Sequence, residues 1–317
     1  MSDLNTNEVT YIVGHLKPDA DAICSAIGHA AYLADVCNTQ ATPVRCGEVP
    51  TRCAWALEQA NIKAPQLVGS VNEGQKLILV DHNEFQQAIT GVEKAEIVGV
   101  LDHHRLSGDV RTSQPIYFRN EPVGSTCSLV ADNYRKANAQ PSRSIAICLI
   151  AGLISDTLCL TSPTTTDFDR KILPWLADIA GVDAKEFTSG FFAAGSMLNN
   201  GTPSEMLEVD RKEFVEADKT LTIAQVEEVG LAVFDQRREE IEAELNKLCS
   251  ANNYEVALAV FTDITTQSSK IIAAGNPEII ANLSFEHIDD TLFDAPGVCS
   301  RKKQIFPALA EAMATCV

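Results

Sequence analysis

The chain has 317 residues, 45% of them hydrophobic and 21% charged. Forty-three acidic residues against 25 basic ones give a formal charge of −18, which argues against a general nucleic-acid or anionic-membrane binder but leaves room for a small anionic substrate. The length predicts two domains, and the polar start MSDLNTNEVT, with no apolar run near the ~20 residues that span a bilayer, predicts neither export nor membrane insertion.

From residue 10 to 160, short apolar runs alternate with amphipathic helical patterns, which predicts an α/β domain with a mostly parallel sheet flanked by helices. Tyr11 to Gly14 leads into His15, with Asp19 and Asp21 close behind. Lys17-Pro18 delays helix entry and keeps the chain extended through Pro18 and Asp19; helical spacing follows at Ile23, Ile27, Ala30 and Ala34. Val44 to Ala60 offers a strand and a helix, and Lys76 to Val80 a buried strand ending in Asp81-His82-Asn83-Glu84. The run Ile97 to Leu101 ends in Asp102-His103-His104. Tyr117 to Arg119 reads as a strand, and Glu121 to Thr126 as a turn and a capped helix start. Ile145 to Ile154 reads as a buried helix leading to Asp156, and Ser162 to Asp167 opens another with several possible N-caps.

Ser189-Gly190, Gly195-Ser196 and Asn199-Asn200-Gly201 interrupt any long element. The expected division is a metal-binding catalytic domain over 1–189, a linker over 190–201 and a smaller α/β domain over 202–317. Thr202-Pro203-Ser204-Glu205 has the capping-box form. Lys212 falls in a mixed-charge stretch read as helical. A helix over Asp235 to Leu248 and strands over Val256 to Phe261 and Lys270 to Ala274 follow, with a charge-poor strand, Gly297 to Cys299, before Ser300-Arg301-Lys302-Lys303-Gln304. The ten cysteines contain no C-x-x-C pair and read as small buried hydrophobes in a reducing cytoplasm.

A single Asp after a strand is usually a turn former or a helix cap. Several segments that deliver Asp and His to one edge of a sheet are another matter, because ligands of open α/β sheets sit at the carboxyl ends of the strands. The candidate ligands are His15, Asp19, Asp21, Asp81, His103 and Asp156. Four converging carboxylates would raise one another's pKa values unless two divalent cations cancelled their charge. Oxygen-rich ligation with some imidazole suits Mn²⁺ or Co²⁺. Two such ions about 3.5–4 Å apart can hold a hydroxide and steady an in-line phosphoryl displacement. Arg301-Lys302-Lys303 is the densest basic patch, and with Lys212 it could neutralise phosphate across a cleft that closes on substrate.

The blocks GHLKPDADAICSAI (14–27), VDHNEFQQ (80–87), LDHH (101–104), EPVGST (121–126), ISDTLCLTSPTTTD (154–167) and SRKKQ (300–304) resemble the DHH phosphoesterases, and within them the family II, manganese-dependent inorganic pyrophosphatases. The resemblance implies one ion on His15, Asp19 and Asp81, and a second on Asp21, His103, Asp156 and the bridging Asp81. It implies His104 as general acid, Asp102 as the carboxylate that orients the imidazoles, and Lys212, Arg301 and Lys302 as phosphate-binding groups. It also implies a cytoplasmic homodimer whose active site lies between its domains and whose pyrophosphate substrate brings additional Mg²⁺ or Mn²⁺. The chain departs from the family in Lys17, where Asn is expected, and in Ala20-Asp21-Ala22, where Thr-Asp-Ser is expected. It has no room for the inserted nucleotide-binding module of some relatives. The rival expectations are a DHH exopolyphosphatase or small phosphodiesterase, and a non-catalytic phosphate-binding protein.

Overall fold

Apolar runs become strands in the first half of the chain. The computed structural model describes residues 9–216 and 218–315. In it β1 (Tyr11–Val13), β2 (Thr42–Arg45), β3 (Gln66–Leu67), β4 (Lys76–Val80), β5 (Glu96–Asp102) and β6 (Tyr117–Asn120) form a sheet ordered β3-β2-β1-β4-β5-β6. All its pairings are parallel. Strands of such a sheet are covered on both faces, which is why their sequences are runs rather than alternations. Val13, Leu77, Leu79 and Val100 are fully buried on one face, with Ile89 and Val92 packed over them.

Helices α1 (Ala20–Asp35), α2 (Thr51–Gln59), α3 (Thr126–Lys136), α4 (Arg143–Asp156), α5 (Asp167–Ala180) and α6 (Ala184–Ala194) complete a first unit, Met1–Gly195. α1 lies against β1, β2 and β4, and α4, apolar from Ile145 to Ile154, packs against α1 and α5. Strand order reverses between β1 and β4. The loops after these two strands therefore part and open a crevice at their carboxyl ends. Asp19 caps α1, accepting from the Ala22 N–H at 2.9 Å. Lys17 avoids the right-handed α region by taking a left-handed φ of 54°.

The second unit, Ser196–Val317, contains α7 (Met197–Asn200), α8 (Pro203–Glu208), β7 (Arg211–Glu216), β8 (Lys219–Glu228), α9 (Phe234–Ala251), β9 (Val256–Asp263), β10 (Ser268–Gly275), α10 (Pro277–Ala281), β11 (Glu286–His287), β12 (Leu292–Ala295) and α11 (Phe306–Ala314). A π-helical turn, Arg301–Ile305, precedes α11. The sheet order is β11-β12-β10-β9-β8-β7, with β8 and β9 parallel and the other pairs antiparallel. β9 is buried along its whole length between two apolar clusters. One is built with Phe234, Ile241 and Leu245, the other with Ile279, Leu309 and Met313.

Four local expectations need correction. α6 runs straight through Ser189 and Gly190, where the Trp55 ring occupies the space a Cβ would need, so the chain does not break there. Lys212 lies in β7, because ladder pairing with β8 overrides the helix-like charge spacing. Gly297 takes a φ of 72° in a turn, so Gly297 to Cys299 is not a strand. Of the nine described cysteines, all free, five are buried, Cys46 and Cys159 are half-buried, and Cys37 and Cys299 are exposed. Among the described residues no helix is long and apolar enough to cross a membrane.

Candidate metal centre

The β1/β4 crevice collects the acidic and imidazole side chains. His15, just past β1, donates from Nδ1 to the Leu16 carbonyl at 2.8 Å, which leaves Nε2 without a proton of its own in the neutral ring. That Nε2 lies 3.6 Å from Asp19 Oδ2 and 3.5 Å from Asp81 Oδ2. His103 repeats the device. Its Nδ1 donates to the Val123 carbonyl at 3.0 Å, and its Nε2 lies 3.2 Å from Asp81 Oδ1 and 3.4 Å from Asp156 Oδ2. Imidazoles that ligate metals are commonly oriented in this way.

Asp81 ends β4 with a left-handed φ of 61°, a conformation that Asp tolerates better than most residues. It stays tied to the sheet through its N–H, which donates to the Leu101 carbonyl. Asp21 enters from the first turn of α1, fully buried, and its carboxylate accepts from Ser125 Oγ, Thr126 N and Cys127 N. Gly152 lets α4 pass this point, since a Cβ there would stand 2.7 Å from Asp21 Oδ1. Asp156 ends α4. Beyond it Leu158, Cys159 and Leu160 form a left-handed turn with φ of 45°, 53° and 65°, at a cost of roughly 1–2 kcal/mol per residue. Thr157 holds the turn: its carbonyl accepts from Thr161 and Ser162, and its hydroxyl donates to Leu153.

Donor atoms of His15, Asp19 and Asp81 lie within 4.8 Å of one another, as do those of Asp21, Asp81, His103 and Asp156. These two groups contain the six residues singled out in the sequence, and Asp81 belongs to both. A third group, Asp81, His103 and His104, meets the same criterion. Asp81 Oδ2 and His103 Nε2 are buried with no hydrogen-bond partner. Unpaired buried atoms of this kind are costly, and cations held by the two groups would satisfy them. A set of carboxylates and imidazoles without thiolate fits Mn²⁺. The residues present therefore fit the group.

The electrostatics agree. Burial disfavours a charged His15, but Asp19 and Asp81 outweigh it and raise its pKa to about 11. His103 is raised to about 12 against the same penalty, by Asp156 and Asp81. Burial and then the Asp81 charge push Asp21 up to about 7, and burial with Asp21 pushes Asp156 well above the usual carboxylate range. Burial also opposes ionisation of Asp81, yet His103 and His15 bring it below that range.

Asp102 stands outside the two bridged groups. Its Oδ1 accepts from the N–H groups of His103 and His104 and from His104 Nδ1, and its Oδ2 accepts from Asn83 Nδ2. Asn83, Ser125 and Thr126 thus hold the site, although nothing but their place in the blocks resembling the family singles them out from the sequence. Lys212, Arg301 and Lys302 lie in the second unit. Lys212 and Lys302 are exposed, while the buried Arg301 binds the Asp210 carbonyl and carboxylate at 2.6 and 2.9 Å.

Residues 9–153 match the DHH family, N-terminal domain, and residues 189–312 match the DHHA2 domain. A Bacillus subtilis protein named manganese-dependent inorganic pyrophosphatase is 38% identical over 309 residues, covering 97% of this chain and 99% of that one. The chain belongs to the manganese-dependent inorganic pyrophosphatase family. A Clostridium acetobutylicum member of this family is 36% identical, covering 96% of this chain and 98% of that one. A solved structure from Methanococcus jannaschii, provisionally assigned to family II inorganic pyrophosphatases, aligns with a TM-score of 0.60 at 31% identity, covering 96% and 99% of the two chains. An exopolyphosphatase-related protein from Bacteroides fragilis shares the fold at a TM-score of 0.51 and 18% identity, covering 97% and 92%.

Proposed function

We propose that this chain hydrolyses inorganic pyrophosphate to two orthophosphates at a centre for two divalent cations, Mn²⁺ in the first place and Co²⁺ as a substitute. The observation that carries this reading is Asp81, whose two oxygens face different imidazoles and which belongs to both donor groups. His15, Asp19 and Asp81 would hold one ion, and Asp21, His103, Asp156 and Asp81 the other. When bound, such ions supply Lewis acidity toward water and toward phosphoryl oxygens.

The chain's own groups supply the rest. His104 is half exposed, and Asp102 fixes its Nδ1, so Nε2 is the atom left to deliver a proton to the departing phosphate. The Asp102 carboxylate also raises the His104 pKa, which keeps that proton available. Arg301, Lys302 and Lys212 are the cations we assign to the substrate's phosphates. On the family resemblance we also propose a cytoplasmic homodimer that takes further Mg²⁺ or Mn²⁺ with its substrate. Free cysteines accord with a reducing compartment.

The test is phosphate release by metal-stripped protein restored separately with Mn²⁺, Co²⁺, Mg²⁺ and Zn²⁺, on pyrophosphate, tripolyphosphate and a dinucleotide. Highest turnover with Mn²⁺ or Co²⁺ on pyrophosphate is expected. Preference for tripolyphosphate or the dinucleotide, or pyrophosphate binding without release, would overturn the reading.

A further inference from the structure

One five-residue segment, Val123 to Cys127, supplies contacts to three of the six candidate ligands. The Val123 carbonyl accepts from His103, the Ser125, Thr126 and Cys127 groups donate to Asp21, and Thr126 Oγ1 donates to Asp81. The segment is held from behind at Gly124, whose N–H donates to Asp169 Oδ2 at 2.9 Å. Asp169 is fully buried in the first turn of α5. Its Oδ2 also accepts from the N–H and hydroxyl of Thr166, and its Oδ1 from the hydroxyl of Ser128. One carboxylate therefore ties the segment that aims Asp21 and His103 to the far end of the connection that leaves Asp156. Gly124 permits the contact, because a Cβ there would stand 2.8 Å from Asp169 Oδ2 and 2.6 Å from Thr157 Cγ2.

We propose that Asp169 is a positioning residue for the ion held by Asp21, His103 and Asp156, acting through Gly124. The inference rests on the two-ion reading above. It predicts an uneven effect, since His15 and Asp19 take their orientation elsewhere, from the Leu16 carbonyl and the Ala22 N–H, and the segment reaches their group only through Asp81. An amide at this position could keep its oxygen on Gly124 and donate to the Ser128 hydroxyl, so the informative variant is Asp169→Ala, which removes the acceptor for the Gly124 N–H outright. Gly124→Ala crowds the same contact, and Thr157 beside it, while Asp169 and every candidate ligand keep their chemical identity.

The experiment titrates the metal-stripped full chain with Mn²⁺ and follows free ion by electron paramagnetic resonance. The unaltered chain is expected to take up two ions. In Asp169→Ala and in Gly124→Ala one of the two is expected to bind about 10–100-fold more weakly, and the other, which shares only Asp81 with the segment, to lose less. Asp183→Ala removes the N-cap of α6, a contact apart from Asp169 and Gly124, and is expected to lower the melting temperature while leaving both affinities unchanged. Gly124→Ala carries the test alone should Asp169→Ala not fold. Unchanged affinities in both variants overturn the proposal, as does an equal loss in Asp183→Ala, which would mark general destabilisation. Failure of the unaltered chain to take up two ions overturns the functional reading, and this proposal with it.

Discussion

Asp102 grips His104 at two points, accepting from its backbone N–H at 3.1 Å and from its Nδ1 at 2.9 Å. The imidazole is thereby fixed in one tautomer without being drawn into the bridged donor groups. Replacing His104 by Gln should leave Mn²⁺ uptake intact and lower kcat by about 10²–10⁴-fold, the usual worth of a positioned acid. Asp102→Asn turns an amide N–H toward either His104 or Asn83, and should lower turnover by about 10–100-fold with metal retained. Unchanged turnover in His104→Gln would remove the acid role.

Asp81 is the member shared by both donor groups, so its loss should not be graded. Asp81→Ala is expected to abolish uptake of both ions and to cut turnover by at least about 10³-fold. Ion content measured on the purified variant, beside phosphate release, checks this. Near-normal turnover would refute the assignment.

Protons and cations compete for the same atoms. Burial works against charge on His15 and His103, but their acidic neighbours raise the pKa values to about 11 and 12. At neutral pH, in the absence of a cation, these rings keep a proton on Nε2 that an arriving ion must displace. Uptake therefore releases protons, and apparent Mn²⁺ affinity should rise from pH 6 to 8. Calorimetric titration in buffers of different ionisation enthalpy measures the number released. An affinity that falls or stays flat over this range would contradict the predicted ligands.

Lys17 holds a left-handed φ of 54°, where Asn is a more comfortable residue. Lys17→Asn, the family's expected residue, should stabilise the first unit by about 0.5–1 kcal/mol. Urea unfolding followed by circular dichroism tests it, and a loss of stability would show that the lysine side chain contributes contacts that outweigh its backbone.

The sheet and the ends of β1, β4 and β5 were legible in the sequence because a doubly covered parallel strand needs an unbroken apolar run, and His15, Asp81 and Asp102 break those runs. The helix reaching Asp156 was legible for the same reason. The turn after it was not, since Leu158-Cys159-Leu160 contains none of the residue types that announce a left-handed backbone. Nor were the groups that hold the site. Ser125 meets Asp21 across 104 positions, and nothing local distinguishes that serine from an ordinary helix cap. Lys212 misled because charge spacing on an edge strand can imitate a solvated helix face, and only pairing with β8 decides between them.

Every carboxylate and imidazole gathered at the β1/β4 edge comes from between His15 and Asp156, inside the unit that ends at Gly195. Bound manganese would therefore add to the unfolding free energy of that half by mass action. Chelation should lower the temperature of the transition in which β1 and β4 come apart, and restoring the ion should raise it again.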